Sequence, residues 1–259
     1  MPSARVLPRQ PFSLIADYMD PIIYSGITEL RIRVARWRGE GRRIALVPTM
    51  GALHRGHISL CELGRRAADH VIASIFVNPK QFGAGEDLSR YPRPFDQDVR
   101  MLTDAGVSAI FSPPPEEMYP AGYATAVRVS GPSQGLEAEV RPTHFEGVAT
   151  IVTKLLIQIQ PDCALFGEKD YQQLQVVRRL VADLDLPVEI IAGKTVRESD
   201  GLALSSRNAY LSSQERRIAP RLYQTLQAAS YALQDGANAE DACAAAHATL
   251  EQSGFHVDY

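Results

Sequence analysis

The segment "VPTMGALHRGHISL" (47–60) sets His54 and His57 three residues apart, beside Gly51 and Gly56, directly after the apolar run Ile44-Ala45-Leu46-Val47. Imidazoles at i and i+3 can face one side of a helix's first turn. The backbone N–H groups of a starting helix lack partners and favour an anion. Phosphate binding is one chemistry open to this stretch, and an ordinary capped turn is the other. "FGEKDYQQL" (166–174) puts Lys169 and Asp170 at a helix start, followed by Gln172 and Gln173. A lysine is disfavoured there by the helix dipole unless an anionic ligand is shared between them. "DGLALSSRN" (200–208) supplies the hydroxyls of Ser205 and Ser206 and the guanidinium of Arg207, which suits two-point binding of phosphate oxygens.

Neutral amides occur in a separate place. "FVNPKQF" (76–82) sets Asn78 and Gln81 around a proline that stiffens the turn, and such amides suit a substrate with hydroxyl and carboxylate groups. "RYPRPFDQDV" (90–99) adds Tyr91, Arg93, Asp96 and Asp98, but reads as easily as a loop and helix cap; "RPTHFE" (141–146) is ambiguous by itself. No Ser-His-Asp order or metal-ligand spacing is evident, and the G-x-x-x-x-G-K-[ST] phosphate loop is absent. Groups that stabilise charge outnumber nucleophiles. That balance fits nucleotidyl transfer, in which a substrate oxygen attacks an α-phosphate and pyrophosphate leaves.

These residues need elements to position them. Apolar runs at 44–48, 71–77, 107–111, 162–166 and 187–192 predict strands, and helices are expected near 28–38, 57–68, 94–105, 146–159 and 169–184. Such alternation argues for a parallel sheet with helices on both faces. Ligands then bind beyond the carboxyl ends of the strands. Polar and glycine residues collect after four of the five strands, which predicts one shared site. Past about residue 196 the pattern changes to two helices, 213–235 and 239–253, and the closing "GFHVDY" reads as the start of a strand.

The 259 residues are 45% hydrophobic and 22% charged with a net charge of -3, so a basic nucleic-acid-binding surface is not expected. No apolar stretch approaches the roughly 20 residues of a membrane span. Cys61, Cys163 and Cys243 lie far apart and read as free thiols of a reducing cytoplasm. Residues 1–20 lack a signal-peptide pattern and read as a loosely ordered extension.

Taken together, "PTMGALHRGH", "FVNPKQF", "RYPRPFDQD", "FGEKDYQQL" and "RESDGLALSSRNAYLS" closely resemble the pantothenate synthetase (pantoate–β-alanine ligase) family, within the H-x-G-H nucleotidyltransferase superfamily. The resemblance runs from about Tyr24 onward. It implies a Rossmann-like, doubly wound α/β domain over 21–196 and a smaller α+β lid over 197–259 that lacks the family's last strands. It also implies pantoate, β-alanine and ATP as substrates, magnesium as cofactor, a pantoyl adenylate intermediate and a cytoplasmic homodimer. By the same resemblance Met50, Gly51, Ala52, Leu53, His54, Arg55, Gly56 and His57 line the ATP site, with His57 as proton donor. Gly167, Glu168, Lys169, Asp170, Val196, Leu204, Ser205, Ser206 and Arg207 would complete it, with His54, His57, Lys169 and Arg207 as its catalytic groups. Gln81 and Gln173 match pantoate-binding positions, Asn78 joins them, and Asp98 falls near the magnesium.

One departure is Thr143, which stands where the family has glycine and would be strained if a positive φ were required. Two other readings stay open on the residues: a different H-x-G-H nucleotidyltransferase, and a nucleotide-binding relative weak in catalysis.

Overall fold

The computed structural model describes residues 21–259, so the extension expected at 1–20 lies outside the described residues. In chain order the elements are β1 (Ile22–Tyr24), α1 (Ile27–Gly39), β2 (Ile44–Thr49), α2 (Arg55–Ala67), β3 (His70–Ile75), α3 (Phe95–Asp104), β4 (Ala109–Phe111) and α4 (Pro115–Met118). They continue with α5 (Glu137–Val140), α6 (His144–Ile159), β5 (Cys163–Gly167), α7 (Tyr171–Asp183), β6 (Glu189–Gly193), α8 (Ser213–Ile218), α9 (Arg221–Gln234) and α10 (Ala239–Gln252). Short 3-10 turns sit at Pro79–Gln81, Asp87–Ser89, Glu168–Asp170 and Ser206–Tyr210.

The strands form one parallel sheet in the order β1-β4-β3-β2-β5-β6. Side chains alternate across it. Ile44 and Leu46 of β2 enter the core shared with α1, α6 and α7, while Ala45 and Val47 enter the core shared with α2 and α3. Burial on both faces is why these strands read as unbroken apolar runs. From β2 the chain winds outward through β3 and β4, then returns to lay β5 on the other side of β2. The loops after β2 and β5 therefore diverge at a switch point, where an open α/β sheet leaves a crevice. The doubly wound architecture is as expected.

Four local expectations are corrected. The sheet has a strand more than the apolar runs predict: β1 is a three-residue edge strand paired with β4, too short to show a period, with Ile22 and Ile23 exposed. The helix expected over 213–235 is two helices, because Pro220 lacks a donor N–H and stands between α8 and α9. "GFHVDY" begins no strand. Gly254, at φ 91, reverses the chain after α10, Phe255 N–H closes the turn on the Leu250 carbonyl at 3.1 Å, and 255–259 pair with no strand among the described residues. Within 197–259 the only β pairing described is the single antiparallel bridge Arg197–Ala203, so this part is helical rather than α+β.

Thr143 raises no strain. It sits at φ -100, ψ -6 as the residue before α6, a conformation open to any L-residue.

Candidate active site

The turn after β2 is built around a buried carboxylate. Gly51 and Ala52 adopt left-handed φ values of 80 and 50. A non-glycine residue persists there only when its surroundings over-determine it. Asp98, buried on α3, supplies that determination: its two oxygens accept from Ala52 N–H at 2.8 Å and Leu53 N–H at 2.7 Å. A Cβ on Gly51 would lie 2.9 Å from an Asp98 oxygen, so glycine is needed for space as well as for φ. Burial raises the Asp98 carboxyl and the two amide bonds oppose it. The residue expected beside magnesium thus serves as the peg of the turn.

The histidines are the helix cap. His54 precedes α2, and its Nδ1 accepts from Gly56 N–H at 3.1 Å; His57 Nδ1 accepts from His54 N–H at 3.3 Å. This is a capping box, the reciprocal pairing usually made by Ser or Thr with Glu or Gln, here made by two imidazoles. The pairing also sets the tautomer. A neutral ring whose Nδ1 accepts carries its proton on Nε2, so both rings offer an Nε2–H donor. Gly56 makes the arrangement possible, because a Cβ there would meet the His54 ring at 2.9 Å.

Burial, then neighbouring His54 and Lys169, hold His57 down to about 3; burial and Lys169 also lower His54. Near neutral pH the pair donates hydrogen bonds without adding charge. The folded value of His57 lies below the ordinary 6.5, so between the two the unfolded chain binds the extra proton. Stability is therefore lost as pH falls through that window. Thermal unfolding midpoints should drop more steeply between pH 6.5 and about 4.5 in the parent than in His57→Gln. Parallel slopes would mean that the ring already takes up its proton in the folded protein.

A cavity of about 250 Å³ opens over the switch point. Its lining unites Met50, His54, Gly56 and His57 after β2, Asn78 and Gln81 after β3, and Gly167, Lys169, Asp170 and Gln173 after β5. Val196, Leu204, Ser205, Ser206 and Arg207 close it from the C-terminal side. Gly51, Ala52 and Leu53 shape the wall rather than line it. Arg55 and Glu168, also expected here, are exposed and outside the lining.

Geometry separates the amides. Asn78 spends both ends on the protein: Nδ2 donates to Gln81 Oε1 and to the Gly147 carbonyl, each at 3.1 Å, and Oδ1 accepts from the Tyr119 hydroxyl at 2.7 Å. Gln81 is left with its Nε2 donor for a ligand. The Gln173 side chain makes no protein hydrogen bond among the described residues and lines the cavity. Gln172 turns away, donating to the Pro132 and Gly135 carbonyls and accepting from Glu137 N–H.

The C-terminal segment is closed on the cavity by three contacts. Ser206 Oγ donates to the Ala52 carbonyl at 2.9 Å, Arg207 forms a two-point pair with Asp87, and the Tyr210 hydroxyl donates to the Arg90 carbonyl. Ser205 caps the 3-10 turn that carries Arg207.

Sequence reading missed one wall. Glu137, Arg141 and His144 line the cavity, as do the apolar Phe76, Val148, Ile151, Val152 and Leu155. Arg141 and His144 fall within the ambiguous "RPTHFE", and only the packing of α6 against the turn Pro79–Gln81 brings them here. Among the described residues no group of three His, Cys, Asp or Glu side chains could hold a metal, and no helix is long and apolar enough to cross a membrane.

The family model described as pantoate-beta-alanine ligase matches residues 22–259. The pantothenate synthetase of Paramagnetospirillum magneticum is 54% identical over 238 residues, covering 92% of this chain and 84% of that protein. The crystal structure of pantothenate synthetase from Thermus thermophilus superimposes with a TM-score of 0.87 at 50% identity, covering 92% of this chain and 85% of that one. The pantoate-beta-alanine ligase of Francisella tularensis, solved in complex with beta-gamma ATP and beta-alanine, superimposes with a TM-score of 0.79 at 36% identity, covering 89% and 86%.

Proposed function

The chain belongs to the pantoate–β-alanine ligase family of enzymes, and from that membership we propose that it joins pantoate to β-alanine with ATP through a pantoyl adenylate. A pantoate carboxylate oxygen attacks the α-phosphorus, the bond to the bridging oxygen breaks, and pyrophosphate leaves. The β-alanine amine then adds to the acyl carbon and loses a proton. AMP departs with the electrons of the acyl C–O bond, and pantothenate remains.

One observation carries this reading: the histidine turn and the pair Gln81 and Gln173 face a single cavity. The Nε2–H groups of His54 and His57, the Lys169 ammonium and the Arg207 guanidinium suit phosphate oxygens at the start of α2. The two glutamines line the cavity together with Phe76, Val148 and Ile151, which suits a substrate with a dimethyl-substituted carbon between hydroxyl and carboxylate groups. His57 keeps its Nε2 proton directed at charge that develops on the phosphates. The Francisella relative's complex with beta-gamma ATP and beta-alanine supports the ligand classes.

In this reading residues 21–196 bind both substrates and 197–259 act as a lid whose three closing contacts part to admit nucleotide and re-form once it is bound. Closure excludes water, which would otherwise hydrolyse the acyl adenylate. Magnesium would neutralise phosphate charge while held by phosphate oxygens and water, since it needs few protein carboxylates and Asp98 is engaged with backbone amides. The protein is proposed to act in the cytoplasm as a homodimer formed through the larger domain.

The test is AMP formation that requires both pantoate and β-alanine, with pyrophosphate formed from pantoate and ATP alone. Nucleotide breakdown independent of pantoate would overturn the reading. Within it, Gln173→Ala should raise the pantoate KM about tenfold or more while moving the ATP KM little, because an amide lost from one ligand's pocket leaves that ligand's groups unpaired. Equal effects on both substrates would contradict the assignment.

A further inference from the structure

Two consecutive acids each hold one of the two arginines that line the cavity. Glu86 precedes the 3-10 turn Asp87–Ser89. Its carboxylate takes Arg141 at two points, from Nε at 3.1 Å and from Nη2 at 2.6 Å. Asp87 takes Arg207 in the same way, from Nε at 2.9 Å and from Nη2 at 2.8 Å. The partners come from distant parts of the chain, Arg141 just before α6 and Arg207 in the C-terminal segment.

The two arginines are left in different states. Arg141 is saturated: it also donates to Glu137 at 2.6 Å and to the Gln81 carbonyl at 3.2 Å. It is a strut, and with His144 it fixes the backbone of Gln81. Arg207 keeps its Nη1 donors and borders the cavity, so the Asp87 pair aims it without consuming it.

We propose that Glu86 and Asp87 are paired positioning residues. Asp87 presents Arg207 to the nucleotide phosphates, and Glu86 holds Arg141, and through it Gln81, against the second substrate. This rests on the reading above for the identity of that second substrate. For the nucleotide half it rests only on phosphate binding at the histidine turn. A single 3-10 turn then sets the distance between the two halves of the site. The charge state agrees with the geometry. For Glu86 burial raises the carboxyl, but the Arg141 bonds outweigh it, and for Asp87 the Arg207 bonds dominate, so both are held below the ordinary carboxylate range.

A bracing role alone would weaken the fold without favouring either ligand. A positioning role splits by ligand. Asp87→Asn should weaken calorimetric binding of a non-hydrolysable ATP analogue about tenfold, the order expected when charge-assisted hydrogen bonds no longer hold the binding group, and leave the pantoate KM within about twofold. Glu86→Gln should do the reverse. Asp87→Glu, which keeps the charge, should bind the analogue more tightly than Asp87→Asn, and this comparison stands even if both variants melt earlier. If both acids' variants weaken both ligands equally, in proportion to their loss of thermal stability, the proposal is wrong. Absence of pantoate-dependent AMP formation in the parent would instead strike the functional reading, while the analogue titration would still decide the role of Asp87.

Discussion

His57→Ala is expected to slow pantoate-dependent pyrophosphate formation about 10²-fold or more, the order seen when one positioned donor to developing charge is removed. The loss has two parts, and a second variant separates them. His57 is the third residue of α2 and half of its capping box, so alanine leaves His54 N–H without its acceptor and loosens the turn. A lost cap costs about 1 kcal/mol. Glutamine is a usual residue at this position of a capping box. His57→Gln should therefore keep the cap, and with it a melting point near that of the parent, while losing the Nε2–H that faces the cavity. Both variants should be slow, and only the alanine variant should also be less stable. A near-parental adenylation rate in His57→Gln would remove the imidazole from the chemistry and leave it a structural cap.

Gly147→Ala should produce the largest loss of stability of any single-methyl change near the site. Gly147 lies in the first turns of α6, where the helix rests on the turn Pro79–Gln81. A Cβ there would stand 2.2 Å from the Lys80 carbonyl oxygen, 2.5 Å from its carbon and 2.6 Å from Gln81 Cα. All three are backbone atoms, so no side chain can swing away and the two elements must separate. Overpacking of this kind costs about 3 kcal/mol, which is a fall in Tm of roughly 6–12 °C for a chain of this size. Separation also breaks the 3.1 Å bond from Asn78 to the Gly147 carbonyl and displaces Gln81. The pantoate KM should rise at least about tenfold, while binding of an ATP analogue at the histidine turn, on the far side of β2, changes little. A Tm within about 2 °C of the parent, or a loss shared equally by both ligands, would show that α6 does not set the position of Gln81.

Both results depend on features that differ in how far the chain itself reveals them. The alternation of apolar runs with helical stretches is sufficient for a parallel, doubly wound sheet, because strands buried on both faces must be apolar throughout. The residues that follow the strands are legible for the same reason: a parallel sheet puts every carboxyl end on one edge, so His54, Gln81, Lys169 and Val196 had to be neighbours. Long motifs carry the family, and the family model and relatives bear that out. Local chemistry can also be read from the chain where its cause is local. The histidine turn is legible as a helix start in this way, while the reciprocal cap made by its two imidazoles is seen only in the structure.

Where the cause is a distant partner, only the tertiary structure decided. Asp98 carries the same charge in a metal site as in a turn, and the approach of Ala52 and Leu53 assigned it to the turn. Asn78 and Gln81 are alike in type and near in sequence. The Tyr119 hydroxyl, the Gly147 carbonyl and Gln81 Oε1 saturate the first, and only Nε2 of the second is left for a ligand. Gln172 and Gln173 point in different directions because helical residues one apart diverge by about 100°, and which one faced the cavity depended on how α7 packs. Arg141 and Glu86 stand 55 residues apart, and Arg207 and Asp87 stand 120 apart. Charge attraction has no sequence signature at such separations. The pairs exist because tertiary packing brings these distant parts of the chain together, and the carboxylates hold the arginines in the positions packing gives them.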